Sequence, residues 1–297
     1  MKRTELPTFH AIYAVAGELE LLKASIASIY DFVEGITIVS GSDRDWMGQP
    51  RESSRVHTLV HSPTIDPDRK ISLLITDETN EARSRNRAMD FASPSGRSTH
   101  TVKQSPRDHQ LRRPDYFLIV DADEIWEADQ LTNLRTFIAA HPAHTYRAAC
   151  LRYFKRWNYR IDGFEWATVA VTASTRFRYL RLPPTLRIRR WFNQLQWIPP
   201  RLRQSICGFI DIDPAVTSFH HGSYVGPTAR ITEKLASFGH SHEVAPDWME
   251  RVWNRFDPSM TNLNPVYPSL FPGTTKIPTS ELPQEIKSFP WPDEYTD

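Results

Sequence analysis

Apolar and polar positions follow two rhythms along the first half of the chain. Residues 11–16 (Ala-Ile-Tyr-Ala-Val-Ala) form an unbroken apolar run, which predicts a buried strand stopping at Gly17. Over residues 18–32 the period lengthens. Leu22, Ile26, Ile29 and Val33 recur at helical spacing, so an amphipathic helix is expected there, ended by Gly35. Short β-branched runs at 36–39, 71–75 and 117–120 predict three more strands. A helix is expected between the last two, opened by Thr79 or Asn80 and reaching about Phe91. Strands alternating with helices require crossover connections, hence an α/β fold with a mostly parallel sheet flanked by helices.

The rhythm changes near Ala148. Beyond it come what read as short aromatic strands, Leu151-Arg152-Tyr153-Phe154 and residues 167–173, and eight prolines fall in the last 40 residues. Those prolines predict an extended tail lying on the body. Residues 93–114 are polar and rich in turn formers, as in a long surface loop. At 40% apolar and 24% charged residues the composition is that of a globular protein. No stretch approaches the ~20 apolar residues of a membrane span, and the polar start Met1-Lys2-Arg3-Thr4-Glu5 lacks a signal-peptide core. Cys150 and Cys207 sit among apolar residues, as buried thiols would, so a reducing cytoplasm is the expected location.

The most informative chemistry lies at the end of the fourth predicted strand, in Asp121-Ala122-Asp123-Glu124. Carboxyl ends of strands are where α/β sheets bind ligands. If the strand persists that far, Asp121 and Asp123 leave it on the same side. Two carboxylates so close repel unless a cation lies between them, and hard oxygen ligands suit Mg²⁺ or Mn²⁺. The alternative is turn chemistry, with one acid in the turn and Asp129 or Glu127 capping a helix that starts near Leu131.

Four features occur in order: a strand and helix at the amino end, a polar turn at Asp43, Asn80-Glu81-Ala82-Arg83-Ser84-Arg85-Asn86, and the acidic block followed by Phe219-His220-His221-Gly222-Ser223-Tyr224. Together they resemble nucleotide-sugar glycosyltransferases of the GT-A fold, of the family-2-like kind. The acidic block, the later His-x-Ser-aromatic and Lys234 are also similar to the β-1,4-mannosyl-glycoprotein N-acetylglucosaminyltransferase family. The resemblance covers roughly residues 8–245. It implies a catalytic domain over 1–245, with a nucleotide-sugar half (1–150) and a smaller, aromatic-rich acceptor half (151–245), followed by a proline-rich extension over 246–297. It also implies a metal-dependent hexosyl- or pentosyltransferase using a nucleoside-diphosphate sugar, uridine diphosphate foremost. Asp123 would ligate Mn²⁺ or Mg²⁺ directly, Asp121 would bind ribose or the metal through water, and His221 would complete the set with His220 as its competitor. Ala14, Glu18, Asp43, Arg83, Ala122 and Lys234 would contact the nucleotide sugar.

A single-displacement transferase needs a carboxylate to take the acceptor's proton. Glu165 and then Asp162, beside Trp166, stand at a suitable distance after the change of pattern. Between Trp166 and Ile210 the chain has no acid, while Arg187, Arg189 and Arg190 are among eight arginines interleaved with aromatics. That density suits a polyanionic acceptor such as modified DNA or an anionic glycan, and equally strands with arginine on their wet side. Net charge is only +1, so any such preference is local. A nucleotidyltransferase remains the alternative enzyme, although the first turn lacks a Gly-rich, cationic loop. The non-enzymatic alternative is a nucleic-acid-binding protein using the arginine segment.

Overall fold

The computed structural model describes residues 6–15, 19–41, 54–78, 80–93, 113–175, 209–237 and 241–287. Strands β1 (Phe9–Val15), β2 (Gly35–Gly41), β3 (Ile71–Thr76) and β4 (Tyr116–Val120) fall where the apolar runs place them. Helices α1 (Leu19–Ile29), α2 (Ser54–Val60) and α3 (Glu81–Phe91) lie between them in sequence. The expected first helix is shorter than its apolar period, because the backbone tightens to 3₁₀ over Tyr30–Phe32. Gly35 opens β2 instead of ending the helix.

The second half contributes β5 (Glu124–Ile125), α4 (Ala128–Ala140), β6 (Thr145–Ile161), β7 (Glu165–Thr172), β8 (Ile210–Asp211), β9 (Ser218–Val225) and α5 (Thr228–Ser237). A π-helical turn (Met249–Trp253), β10 (Thr274–Lys276) and the short α6 (Gln284–Lys287) follow. Among the described residues one ten-stranded sheet runs β3-β2-β1-β4-β7-β6-β9-β5, with β8 and β10 also paired to β6. Its first four strands are parallel, as expected. Beyond β4 it is mixed: β7 is antiparallel to both β4 and β6, β9 is parallel to β6, and β5 is antiparallel to β9. A mostly parallel sheet therefore describes only the amino-terminal half. What read as a short aromatic strand at 151–154 is the middle of the 17-residue β6, which carries the second half of the sheet.

β4 shows why its sequence is continuously apolar. Leu118 and Val120 pack with α1 and α4 residues such as Ile26 and Leu134, while Phe117 and Ile119 pack with Ala88 and Met89 of α3. A strand covered on both faces has no wet side to mark by alternation. The order β3-β2-β1-β4 reverses direction at β1, so the crevice between the carboxyl ends of β1 and β4 is the topological switch point. Among the described residues no helix is long and apolar enough to cross a membrane.

Candidate metal centre

The acidic block does not continue β4. The strand ends at Val120, and a tight turn follows in which Glu124 N donates to Asp121 O (3.1 Å) before β5 begins. Ser25 Oγ donates to Asp121 O (3.3 Å), and Gly222 N donates to Asp123 O (2.8 Å), so α1 and β9 brace the turn from two sides. The two acids are brought together by this turn, not by strand alternation. β5 pairs with β9 so that Glu124 faces His221 and Ile125 faces His220. Gly222 is glycine for a steric reason: a Cβ there would lie 2.6 Å from the Trp157 ring.

Asp121, Asp123 and His221 each present one ligand atom, and these atoms lie within 4.8 Å of one another. His221 Nε2 is 3.1 Å from Asp123 Oδ1, and Lys234 Nζ donates to Asp123 Oδ2 at 3.0 Å. Arg230 approaches the same oxygen at 3.9 Å. Burial alone would push the Asp123 carboxyl up, but Lys234, then His221 and Arg230, hold it well below the usual carboxylate range. His221 is also opposed by burial, and Asp123 followed by Cys150 raises it well above the usual imidazole value. Cys150 Sγ lies 3.5 Å from His221 Nδ1. Glu124, buried with one carboxyl oxygen unpartnered, is pushed well up by burial and then by Asp121. The neighbouring cations thus offset the acids' mutual repulsion.

Asp121 is paired with Arg85, which also binds Glu81 at 2.7 Å. Burial works against the Arg85 charge, and Asp121 and Glu81 more than restore it. Asp121 keeps 43% of its side chain exposed, so a molecule in the adjoining cleft can reach it. That cleft, of about 340 Å³, is lined by Glu81, Arg85, Ile119, Asp121, Glu124 and Thr168. A smaller cavity of about 110 Å³ shares His221 with the cluster and is lined by Arg152 and Glu165.

The sequence-predicted residues fall into three groups. Asp121, Asp123, His221 and Lys234 come together, with Ala122 in the turn itself. Ala14 follows Tyr13, the partner of Val120, and so lies beside the start of that turn. A second group is placed elsewhere. His220 points to the other side of β9, where Nδ1 meets the Tyr153 hydroxyl (2.7 Å) and Nε2 meets Glu127 (3.0 Å). Glu127 stands at the amino end of α4 without capping it through its side chain. Arg83 is exposed on α3, its backbone N bound to the Asn80 cap at 3.1 Å. Asp162 Oδ1 accepts from Thr275 Oγ1 (2.7 Å), fastening β10, and Trp166 stacks edge-on against Phe164. The third group, Glu18, Asp43, Arg187, Arg189 and Arg190, lies outside the described residues, and with the arginines goes the polyanionic acceptor they pointed to.

Sequence reasoning missed Arg85. Its signal was the helix face: Ala82, Arg85 and Met89 fall three and four apart, on the side of α3 that is buried.

No protein-family model matches the chain, and no curated protein matches it either. Solved structures do match, among them one described as the crystal structure of GalNAc-T7 with UDP, GalNAc and Mn²⁺. It has 9% sequence identity and a TM-score of 0.35, covering 50% of this chain. The match spans 24% of that chain, too partial a likeness to carry chemistry across.

Proposed function

We propose that this chain is a metal-dependent glycosyltransferase that moves a sugar from a nucleoside-diphosphate donor, uridine diphosphate foremost, to an acceptor hydroxyl. The observation that carries this reading is the gathering of Asp121, Asp123 and His221 beside a 340 Å³ cleft at the carboxyl end of β4, walled by α3 and β7. Two carboxylates and an imidazole suit Mn²⁺, and Mg²⁺ less well because it prefers oxygen. Their ligand atoms, within 4.8 Å of one another, would be close enough for one ion to be shared by all three.

When bound, such an ion supplies positive charge to a departing diphosphate. Asp123 and His221 would hold it directly, and Asp121 would hold it through water or bind the ribose. Arg85, in place of the expected Arg83, and Lys234 stand at the acids and would offer their charge to the phosphates. Ala14 and Ala122 would form the backbone floor beneath the donor. On the acceptor side, Glu165 is paired with Arg152 at 3.1 Å and would serve as the base. In a single displacement the acceptor oxygen bonds to the anomeric carbon as the bond from that carbon to the diphosphate oxygen breaks. The electron pair of that bond leaves with the diphosphate, and the hydroxyl proton passes to Glu165.

Thermal unfolding with UDP, GDP, ADP or CDP, each with and without Mn²⁺, tests the reading. One diphosphate should stabilise the protein only when Mn²⁺ is present, by about 2.7 kcal/mol at a hundredfold excess over its dissociation constant. Asp123→Asn should remove that gain. Stabilisation by none of the four, or by all equally without the metal, would sink the proposal.

A further inference from the structure

The smaller cavity has features that its structural partners do not use up. Arg152 is buried at 8% exposure and lines it. One of its amino groups donates to Glu165 Oε2 (3.1 Å), the other donates to Leu270 O (3.0 Å), and the guanidinium lies 4.8 Å over the Phe271 ring. Its Nε is buried and has no partner among the described residues. Glu165 leaves 58% of its side chain open to solvent. Asn264 spends its Oδ1 on the backbone N–H groups of Val266 (2.9 Å) and Tyr267 (2.8 Å), which leaves its amide hydrogens as the end that can meet a ligand. Tyr224 and Phe271, 5.3 Å apart and nearly perpendicular, supply aromatic walls.

We infer that this cavity is an acceptor subsite that holds a neutral polyhydroxylated ring, a single sugar residue, between the Arg152–Glu165 pair and the rings of Tyr224 and Phe271. The inference deepens the transfer reading above and rests on it. Charge decides between an anion and a neutral ring. An anion drawn to Arg152 would meet the Glu165 carboxylate beside it and would have to take away that carboxylate's partner. A hydroxyl can donate to Glu165 and accept from Arg152 or Asn264 without disturbing the pair. The apolar C–H face of a sugar suits the face of an aromatic ring. Position supports the same assignment. His221 belongs both to the acid cluster and to this cavity, so a ring held here lies against the cluster that the larger cleft also borders. Arg152 is paired in register with His221 on the neighbouring strand, which fixes the spacing between the two compartments.

Saturation-transfer NMR on the full chain tests this without turnover. The probes are the methyl glycosides of mannose, glucose, galactose and N-acetylglucosamine, with methyl glucuronide as the anionic comparison. At least one neutral glycoside should show transfer to its ring protons and bind more tightly than the glucuronide. Glu165→Ala, at a largely exposed position, should weaken it at least tenfold, and so should Arg152→Lys, which keeps the charge but not the fork that spans Glu165 and Leu270 O. No transfer to any neutral glycoside, tighter binding of the glucuronide, or binding indifferent to Glu165→Ala overturns the inference. Titrating the same samples with UDP and Mn²⁺ separates the two proposals. Nucleotide binding without glycoside binding removes the subsite alone. Glycoside binding that depends on Glu165, without nucleotide binding, supports the pocket and removes the donor reading.

Discussion

His220 and His221 are neighbours in sequence and opposites in chemistry, because alternate residues of β9 face opposite sides of the sheet. His221 meets Asp123 and stands among the candidate ligands, whereas His220 bridges Tyr153 and Glu127 on the side of Trp157 and Leu21. Their alanine variants should therefore fail differently. His221→Ala should lower Mn²⁺ affinity, read by calorimetric titration, by at least a hundredfold, since it would remove a proposed direct ligand where even supporting partners are worth about 10–100-fold. His220→Ala should leave that affinity within a few fold and lower unfolding free energy by about 1–3 kcal/mol, because it leaves the buried Tyr153 hydroxyl unsatisfied. Equal loss of metal in both variants, or greater loss in His220→Ala, would mean that the wrong imidazole has been assigned. Asp123, His221 and Lys234 were reached through the resemblance, which sets an acidic block, a His-x-Ser-aromatic and a lysine in that order. Position alone hid Arg85 and Glu124. Nothing in a local stretch distinguishes Arg85 from the exposed Arg83 until the buried face of α3 is known. Glu124 reads as one more acid of the turn until β5 pairs with β9.

At the level of elements, β1 to β4 were legible as short, largely apolar runs, and α1 and α3 by their period and cap, whereas the short α2 was not read. The second half was not, since β6 carries polar and aromatic residues that are buried by partners as distant in sequence as β9 and β10. The paired strands β1 and β2 contain a polar residue that tests this packing. His10 is buried, its Nε2 is 2.8 Å from Thr37 Oγ1, and a Cβ on Gly35 would stand 2.7 Å from its ring. Burial lowers its pKa from 6.5 to about 4. Between those values the unfolded chain takes up a proton on this residue that the folded chain does not. Stability from this source is therefore complete above about pH 6.5 and falls as the pH drops towards 4. At about 1.4 kcal/mol per pH unit the loss amounts to about 3 kcal/mol. Urea unfolding at pH 7 and pH 4.5 should show that loss, and His10→Gln should reduce the difference between the two conditions. An identical pH dependence in the variant would mean that His10 is not held neutral by its surroundings.

Across the whole molecule, the proline-rich segment is part of the packing, which composition could not reveal. Trp248, Val252, Trp253, Leu263 and Phe271 share a buried cluster with Phe154 and Ile161 of β6, Tyr224 of β9, and Ile231 and Leu235 of α5. Ile277, Leu282 and Ile286 close a second cluster over Leu21, Tyr153 and Trp157. β10 pairs with Tyr159, Arg160 and Ile161, and Trp253 Nε1 donates to Thr228 Oγ1 at 3.1 Å. Prolines in this setting fix turns between buried side chains, so a stretch that reads as an extended tail on the body is anchored every few residues. A large buried side chain contributes about 1.5–3 kcal/mol. Eight of them come to on the order of 10–20 kcal/mol, as large as the ~5–15 kcal/mol net stability of a typical protein. A chain ending at residue 245 should therefore lose cooperative unfolding altogether and bind a hydrophobic dye, as monitored by circular dichroism and fluorescence. Restoring residues 246–287, with only the last ten residues omitted, should recover a single sharp transition. If the chain ending at 245 melted cooperatively within a few degrees of the full protein, the clusters around Phe154 and Trp157 would have to be stable without their covering. The wall of the smaller cavity formed by Asn264 and Phe271 would then be an accessory to the fold, not part of what holds it together.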